Sequence, residues 1–280
     1  MEKAIKKTFA LFALPTLAAF VIGFFVPFIL GIYLSFCRFT TISDAQFTGL
    51  ANYRALAGDG VFLHSLWFTA AFTAVTVVLI NVLAFAAALL LTRSFRGTNV
   101  FRAVFFLPNL IGGIVLGYIW QLIFNGILSI FGRTLTYSSV YGFWGLVVLM
   151  CWQQIGYMMI IYIAGLQSIP DALYEAARID GANGRQLLFR VTVPMSMPAI
   201  TICTFLTLTN SFKLFDQNLA LTAGQPSQMT ELLALNIYNT FYGRAGWEGV
   251  GQAKAVVFFL LVALLAMIQT RLTRSREVQQ

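Results

Sequence analysis

A chain of 280 residues that is 59% hydrophobic and only 10% charged cannot bury all of its apolar side chains inside a water-soluble domain, so it must place them in a bilayer. The formal net charge of +8 does not point to nucleic acid, because the Lys and Arg residues are spread along the chain and bracket apolar stretches. Three cysteines, Cys37, Cys151 and Cys203, stand far apart at or within those stretches without the paired spacing of zinc or redox sites, and read as small buried residues.

Six apolar runs follow one another, at about 9–36, 66–92, 103–124, 144–167, 195–219 and 250–270. Each approaches or exceeds the ~20 residues that cross a bilayer as a helix. They predict an all-α polytopic membrane protein with six transmembrane helices, organised as a single domain over residues 1–280. The thirty charge-free residues from Thr8 to Cys37 exceed the core of a cleaved signal peptide, so the first span is expected to be retained. With the N-terminus in the cytoplasm, the inside segments hold Lys3, Lys6, Lys7, Arg93, Arg96, Arg102, Arg178, Arg185, Arg190, Arg271, Arg274 and Arg276. Six basic residues fall outside or at membrane depth: Arg38, Arg54, Arg133, Lys213, Arg244 and Lys254. That asymmetry predicts a multi-pass membrane protein with both termini in the cytoplasm.

The first outside segment, Arg38 to Ser65, is too short and glycine-interrupted to fold as a domain. Gly113 and Gly117, at small-xxx-small spacing in the third span, would let two helix backbones approach closely, and Pro108 should bend that span near its start. The fourth span carries Trp152, Gln153, Gln154 and Tyr157 at membrane depth. Amides and a phenol beside flat aromatic rings suit a neutral polyhydroxylated ligand; plain hydrogen bonding between helices would explain them equally well. The fifth span shows Thr201, Thr204 and Thr207, then Asn210, Lys213 and Asp216. Spacing by three drifts about 60° per step on an α-helix, so these share one face only if the helix tightens or unwinds. Lys213 and Asp216 stand close enough to pair, or reach for the outer interface, while Asn210 lies deeper and is the better contact for a ligand. Counted from Gln167 and from Pro194, Gln154 and Asn210 fall within about one helical turn of the same depth.

Between the fourth and fifth spans, residues 168–194 form a charged elbow. Ser168 suits an N-cap, Pro170 a first helical position and Gly181 a helix stop, which defines a helix of about ten residues. Asp171 and Glu175 favour its dipole, and Arg178 can pair with Glu175. A second short helix from about Gln186 to Arg190 is expected to end at Pro194. The rest of the chain adds an outside stretch, about 220–249, helical in its middle, and a polar tail after Arg271.

The elbow carries a resemblance. Glu175-Ala176-Ala177, three residues, Gly181, nine residues and then Val191-Thr192-Val193-Pro194 resembles the EAA signature of permease subunits of binding-protein-dependent ABC importers. The family usually has Ile and Leu where this chain has Val191 and Val193, a conservative departure. Gly49-Leu50-Ala51-Asn52-Tyr53, Leu107-Pro108, Ala164 to Pro170 and Asn210 to Asp216 with Leu221 to Pro226 are similar to the sugar-uptake branch, in particular to the first of its two permeases. The resemblance implies a type I importer fold in a bacterial or archaeal inner membrane, and a translocation path for a sugar or oligosaccharide shared with a homologous second permease. Two ATPase subunits would carry ATP and Mg, leaving this chain without a cofactor, and a substrate-binding protein would dock outside. Contact with the ATPase then falls to Tyr174, Glu175, Ala176, Ala177, Asp180, Gly181 and Ala182.

Other classes fare worse. No Gly-x-x-x-x-Gly-Lys-Ser/Thr is present to hold ATP, no metal-binding spacing surrounds the single His64, and no catalytic motif suggests an enzyme. A secondary transporter or channel lacks support in the absence of any acidic residue near mid-span and of an inverted sequence repeat.

Overall fold

A computed structural model describes residues 13–92 and 96–274. Lys3, Lys6, Lys7, Arg93 and Arg276, the side chain of Arg274, the start of the first apolar run and the tail beyond residue 274 lie outside the described residues. The helices are α1 (Ala13–Leu34), α2 (Ala51–Ala57), α3 (Gly60–Leu91), α4 (Thr98–Phe106), α5 (Gly113–Ser129) and α6 (Ser139–Gln167). They continue as α7 (Asp171–Ile179), α8 (Gly184–Met195), α9 (Met197–Phe212), α10 (Asp216–Leu221), α11 (Leu233–Gly243) and α12 (Glu248–Arg274). Two short strands, β1 (Cys37–Arg38) and β2 (Gln46–Phe47), pair antiparallel with Cys37 opposite Phe47.

Four helices, α1, α3, α6 and α12, are each long and apolar enough to cross a membrane. Two further helix pairs are apolar enough together but sharply bent. Thr98–Leu110 and Gly113–Ser129 meet at 101°, and Gly184–Met195 and Met197–Phe212 at 68°. The third-span break has a local cause. Pro108 enters a tight 3-10 turn, Leu107–Leu110, and the chain then extends at Ile111 with ψ of 132° before Gly112 and Gly113 restart the helix.

One compact unit comprises the described residues of Met1–Gly60 and Ile237–Leu260. Within it the Gly49-to-Tyr53 segment is anchored by Asn52, whose buried amide donates to Ser35 O at 2.9 Å and Cys37 O at 2.8 Å. Gly249 packs against Cys37 O and Asn52, where a Cβ would fall 2.2 Å from the carbonyl. Lys254 is completely buried, with Nζ 2.7 Å from Asp59 Oδ2 and 2.7 Å from Thr240 Oγ1.

The second unit, Val61–Asn236 and Leu261–Gln280, is built on α6. Two-thirds (67%) of the apolar window of α6 is buried, against 28% for α3 and 6% for α12, so α6 is the core helix. Its Leu146, Leu149, Met150, Met158 and Met159 pack with Phe72, Ile80 and Ala84 of α3 and Cys203 of α9. Glycines set the closest approaches: Gly156 presses on the Phe105 carbonyl, where a Cβ would stand 1.8 Å from the oxygen, and Gly165 lies on Ala199. The predicted close approach at Gly113 and Gly117 is to α10, on Asp216, Gln217 and Ala220. All three cysteines are buried and free.

Candidate functional site

The elbow differs from its sequence prediction at its start and matches it at its stop. Ser168 is not the cap of α7: it ends α6, its hydroxyl donating to Gly165 O at 2.8 Å. Pro170 takes the cap position with ψ of 133°, because a proline ring still permits an extended ψ while its missing N–H costs nothing there. At the other end Gly181 has φ of +80°. Its N–H donates to Arg178 O at 3.0 Å and that of Ala182 to Ala177 O at 2.9 Å, the paired bonds that close a helix on a left-handed glycine. Asn183 at once caps α8 by accepting from Gln186 N at 2.9 Å, while Gln186 Oε1 accepts from Asn183 N at 2.8 Å. Two caps back to back fix the turn between α7 and α8. The expected Glu175–Arg178 pair does not form; among the described residues the ion pairs converge on Asp59 instead.

Pro194 does not stop the second helix. A π-turn over Leu187–Thr192 precedes it, with Thr192 Oγ1 donating to Leu187 O at 3.2 Å, and helix continues to Met195. The chain bends only at Ser196, whose N–H and Oγ both reach Thr192 O, at 3.0 and 2.6 Å.

The faces of α7 differ. Tyr174 packs on the core, and Ala177 and Ala182 are half-buried. Ala172, Glu175, Ala176 and Ile179 form an exposed stripe at i, i+3, i+4 and i+7, and Asp180 and Gly181 are exposed beside it. Ile179 is 85% exposed. Between α7, α8 and the ends of α3 and α6 lies a cleft of about 850 Å³, lined by Asp171, Tyr174 and Arg178 and by Leu89, Leu166, Leu187, Leu188 and Thr192 among others.

The second cluster is in the middle of α6. Gln153 is buried; its Oε1 accepts from Gln217 Nε2 at 2.7 Å, and its own Nε2 donates to Ile111 O at 3.4 Å. Gln153 therefore satisfies the carbonyl exposed by the third-span break. Gln154 is also buried, and its Oε1 has no partner. Trp152 meets Trp120 edge to face at 5.4 Å, and Tyr157 tilts against Phe106 at 6.5 Å. Gln217, Trp120 and Asn81 were not singled out by sequence reasoning; only their polar or aromatic character within apolar surroundings marked them.

On α9 the threonines serve the interior. Thr207 is buried, donating to Cys203 O at 2.7 Å and accepting from Asn81 Nδ2 at 3.4 Å, while Asn81 Oδ1 accepts from Tyr162 at 2.6 Å. Ser211 and Thr76 bond at 2.9 Å. Asn210 is half-buried with no side-chain hydrogen bond among the described residues. Counted from the Gly165–Ala199 contact, Gln154 and Asn210 each lie eleven residues along their helices, and counted from the Cys203–Met158 contact four and seven, so their depths agree to about one helical turn, and they form no hydrogen bond with each other. Lys213 and Asp216 do not belong to the same helix: α9 ends at Phe212, Lys213 caps it, and Asp216 opens α10. They form no ion pair, because the chain turns between them.

The chain belongs to the family of binding-protein-dependent transport system inner membrane components, whose model matches residues 80–278. It is 47% identical over 242 residues to the probable starch degradation products transport system permease protein AmyD of Thermoanaerobacterium thermosulfurigenes, covering 83% of this chain and 82% of that one. It is 31% identical to the multiple sugar-binding transport system permease protein MsmF of Streptococcus mutans, with 83% of each chain covered. In fold it matches a chain of a bacterial ABC transporter that imports alginate, with a TM-score of 0.82 over 98% of both chains at 20% identity. The all-α type I importer fold and the permease family read from the sequence are thereby established. The chain is a membrane permease of an ATP-driven importer and not an enzyme.

Proposed function

We propose that this chain forms part of the path by which a sugar or oligosaccharide enters a bacterial or archaeal cell, and that α7 docks on a separate ATPase. The observation that carries the docking role is the construction of the elbow: a short helix locked at both ends of its turn, with an exposed stripe that ends in Ile179. A helix so capped transmits a push that a flexible loop would absorb, and the small side chains in its exposed stripe let a partner surface approach the helix closely. Glu175, Ala176, Asp180 and Gly181 would meet the ATPase directly; Tyr174, Ala177 and Ala182 would hold the helix on the spans. With α7 in the cytoplasm, both termini lie there too. A homologous second permease completes the path, two ATPase subunits hold ATP and Mg, and an extracytoplasmic binding protein delivers substrate to the opposite face.

The sugar reading rests on the permeases this chain is similar to and on the chemistry of its mid-span side chains. Among the described residues the buried Gln154 carbonyl and the half-buried Asn210 amide have no hydrogen-bond partner, Tyr157 stands one turn from Gln154, and Trp152 presents an exposed ring on the other side of α6. Such groups meet hydroxyls and the flat face of a pyranose without charge. Lys213 and Asp216 would stand at the outer end of that path.

The test is proximity and dependence together. A cysteine placed at Ile179 should crosslink to a cysteine on the ATPase surface in purified complexes, and ATP hydrolysis by the complex should rise with sugar-loaded binding protein. Uptake into vesicles that contain this permease but no ATPase would refute the reading.

A further inference from the structure

We propose that the cleft behind α7 is a binding site for a zwitterionic aminophospholipid of the ethanolamine type, held at the junction of the elbow and the spans. Its walls are amphipathic. Leu89 and Leu166 come from the last turns of α3 and α6, two helices that cross the bilayer, and Leu187 and Leu188 face them from α8. The ends of apolar spans lie where hydrocarbon gives way to headgroups, so this cleft is at the depth at which a phospholipid changes from acyl chain to phosphate. The polar wall is α7, which contributes one acid and one base, Asp171 and Arg178. They stand seven residues apart on nearly the same face, ~10 Å along the axis, too far to pair with each other. Neither enters an ion pair among the described residues.

Charge complementarity selects the ligand. A cleft with one carboxylate and one guanidinium is neutral as a whole but strongly dipolar, and it matches a headgroup that is itself a zwitterion. Arg178 would take the phosphate in a charge-assisted pair, and Asp171 would accept from the primary ammonium. An anionic headgroup without an ammonium would leave Asp171 facing like charge. A choline headgroup has no N–H to donate. The acyl chains would run along Leu89, Leu166 and Leu187. A lipid there would fill the space between the elbow and the spans it must move. This inference does not depend on which solute is carried, and it uses a face of α7 centred about 100° around the helix from the outer stripe, so a lipid behind the helix and an ATPase on the stripe are read out separately.

The experiment uses the whole importer complex, reconstituted in vesicles of equal parts phosphatidylethanolamine and phosphatidylglycerol, extracted, and weighed with its retained lipids by native mass spectrometry. Retention of phosphatidylethanolamine should exceed that of phosphatidylglycerol and phosphatidylcholine in matched vesicles, and Arg178→Gln or Asp171→Asn should each lower it about tenfold. Because both variants touch the elbow, a photoactivatable ethanolamine lipid is added to the unmodified complex as a second measurement, and its label should fall on 184–192 or on the ends of α3 and α6. Equal retention of all three lipids, preference for phosphatidylglycerol, or labels confined to other segments overturns the proposal. So does a cysteine at Leu188 that is shielded from a soluble thiol reagent by added ATPase in lipid-free detergent, since the cleft would then be occupied by protein.

Discussion

Lys254 sits fully buried on α12, a helix apolar enough to cross the membrane, and its ammonium is held by Asp59 and Thr240. Asp59 also has Arg244 at 3.9 Å, but that guanidinium is more than a third exposed and lies over Trp247 at 5.2 Å, so it is a weak substitute. Removing one member of such a pair strands the other in a poor solvent for charge. Lys254→Met should therefore cost about 3–5 kcal/mol, while Lys254→Met with Asp59→Asn should cost much less than the sum of the single changes. Thermal unfolding of the purified complex in a double-mutant cycle measures this, and additive losses would dismiss the pair as a unit. Asp44 shows the opposite situation, at the surface. The N–H groups of Thr41 and then Thr40 hold its carboxyl below its ordinary value. Because the charged form is the one bonded, the contribution is complete above the ordinary carboxylate value and is lost as pH falls through the lowered one. Hydrogen exchange at Thr40 and Thr41 should match that of an Asp44→Ala protein only at acid pH; if the two proteins exchange alike at neutral pH, the bonds contribute nothing.

At the scale of the element, α7 separates backbone strain from packing. A Cβ at Gly181 would meet nothing within 4 Å in this chain, so within the permease itself the strain of Gly181→Val comes from its φ of +80°. A β-branched residue there should cost ~1 kcal/mol or more and re-aim α8. Gly181→Asn, which tolerates that φ, should keep most of the sugar-stimulated ATP hydrolysis that Gly181→Val loses. Equal activity of the two variants would remove the elbow's angle from the mechanism. This stop was legible in the sequence because a left-handed cap needs glycine whatever surrounds it. The start was not: Ser168 and Pro170 carry the right chemistry for a cap and a first turn, but Ser168 closes the end of α6 and the cap position falls to Pro170. Pro194 misled for a related reason: a π-turn over Leu187–Thr192 precedes it and helix continues to Met195, so the bend comes at Ser196 instead. Lys213 and Asp216 read as near neighbours on one continuous helix because the chain turn at residues 213–215 has no proline or glycine to announce it.

Across the whole molecule, the spans and their order follow from hydropathy, because lipid forces every backbone group into a helix. What hydropathy does not encode is which polar residues bind each other. Thr207, Ser211 and Asn210 are all polar positions of one span, yet the first two are spent on α3, and among these three only Asn210 makes no side-chain hydrogen bond to the described residues. That difference yields a prediction. Asn210→Ala and Gln154→Ala should shift the relative transport rates of several sugars, by the ~1–3 kcal/mol of an unmade hydrogen bond, with little change in the melting temperature of the sugar-free complex. Thr207→Val should do the reverse. A common loss of stability with unchanged sugar preference for all three would leave them as ties between helices.

Those ties also decide where movement can occur. Thr76 to Ser211, Asn81 to Thr207, Tyr162 to Asn81 and Cys203 to Met158 fasten α3, α6 and α9 to one another through the bilayer's depth. In mechanical terms they make three beams into one truss. A truss does not bend at its rivets, so a thrust delivered through α7 either turns all three helices together or is taken up as rotation at the 68° joint beside Ser196. The joint is then the pivot of the lever, and its stiffness, set by two hydrogen bonds onto a single Thr192 carbonyl, sets how much of each stroke reaches the path.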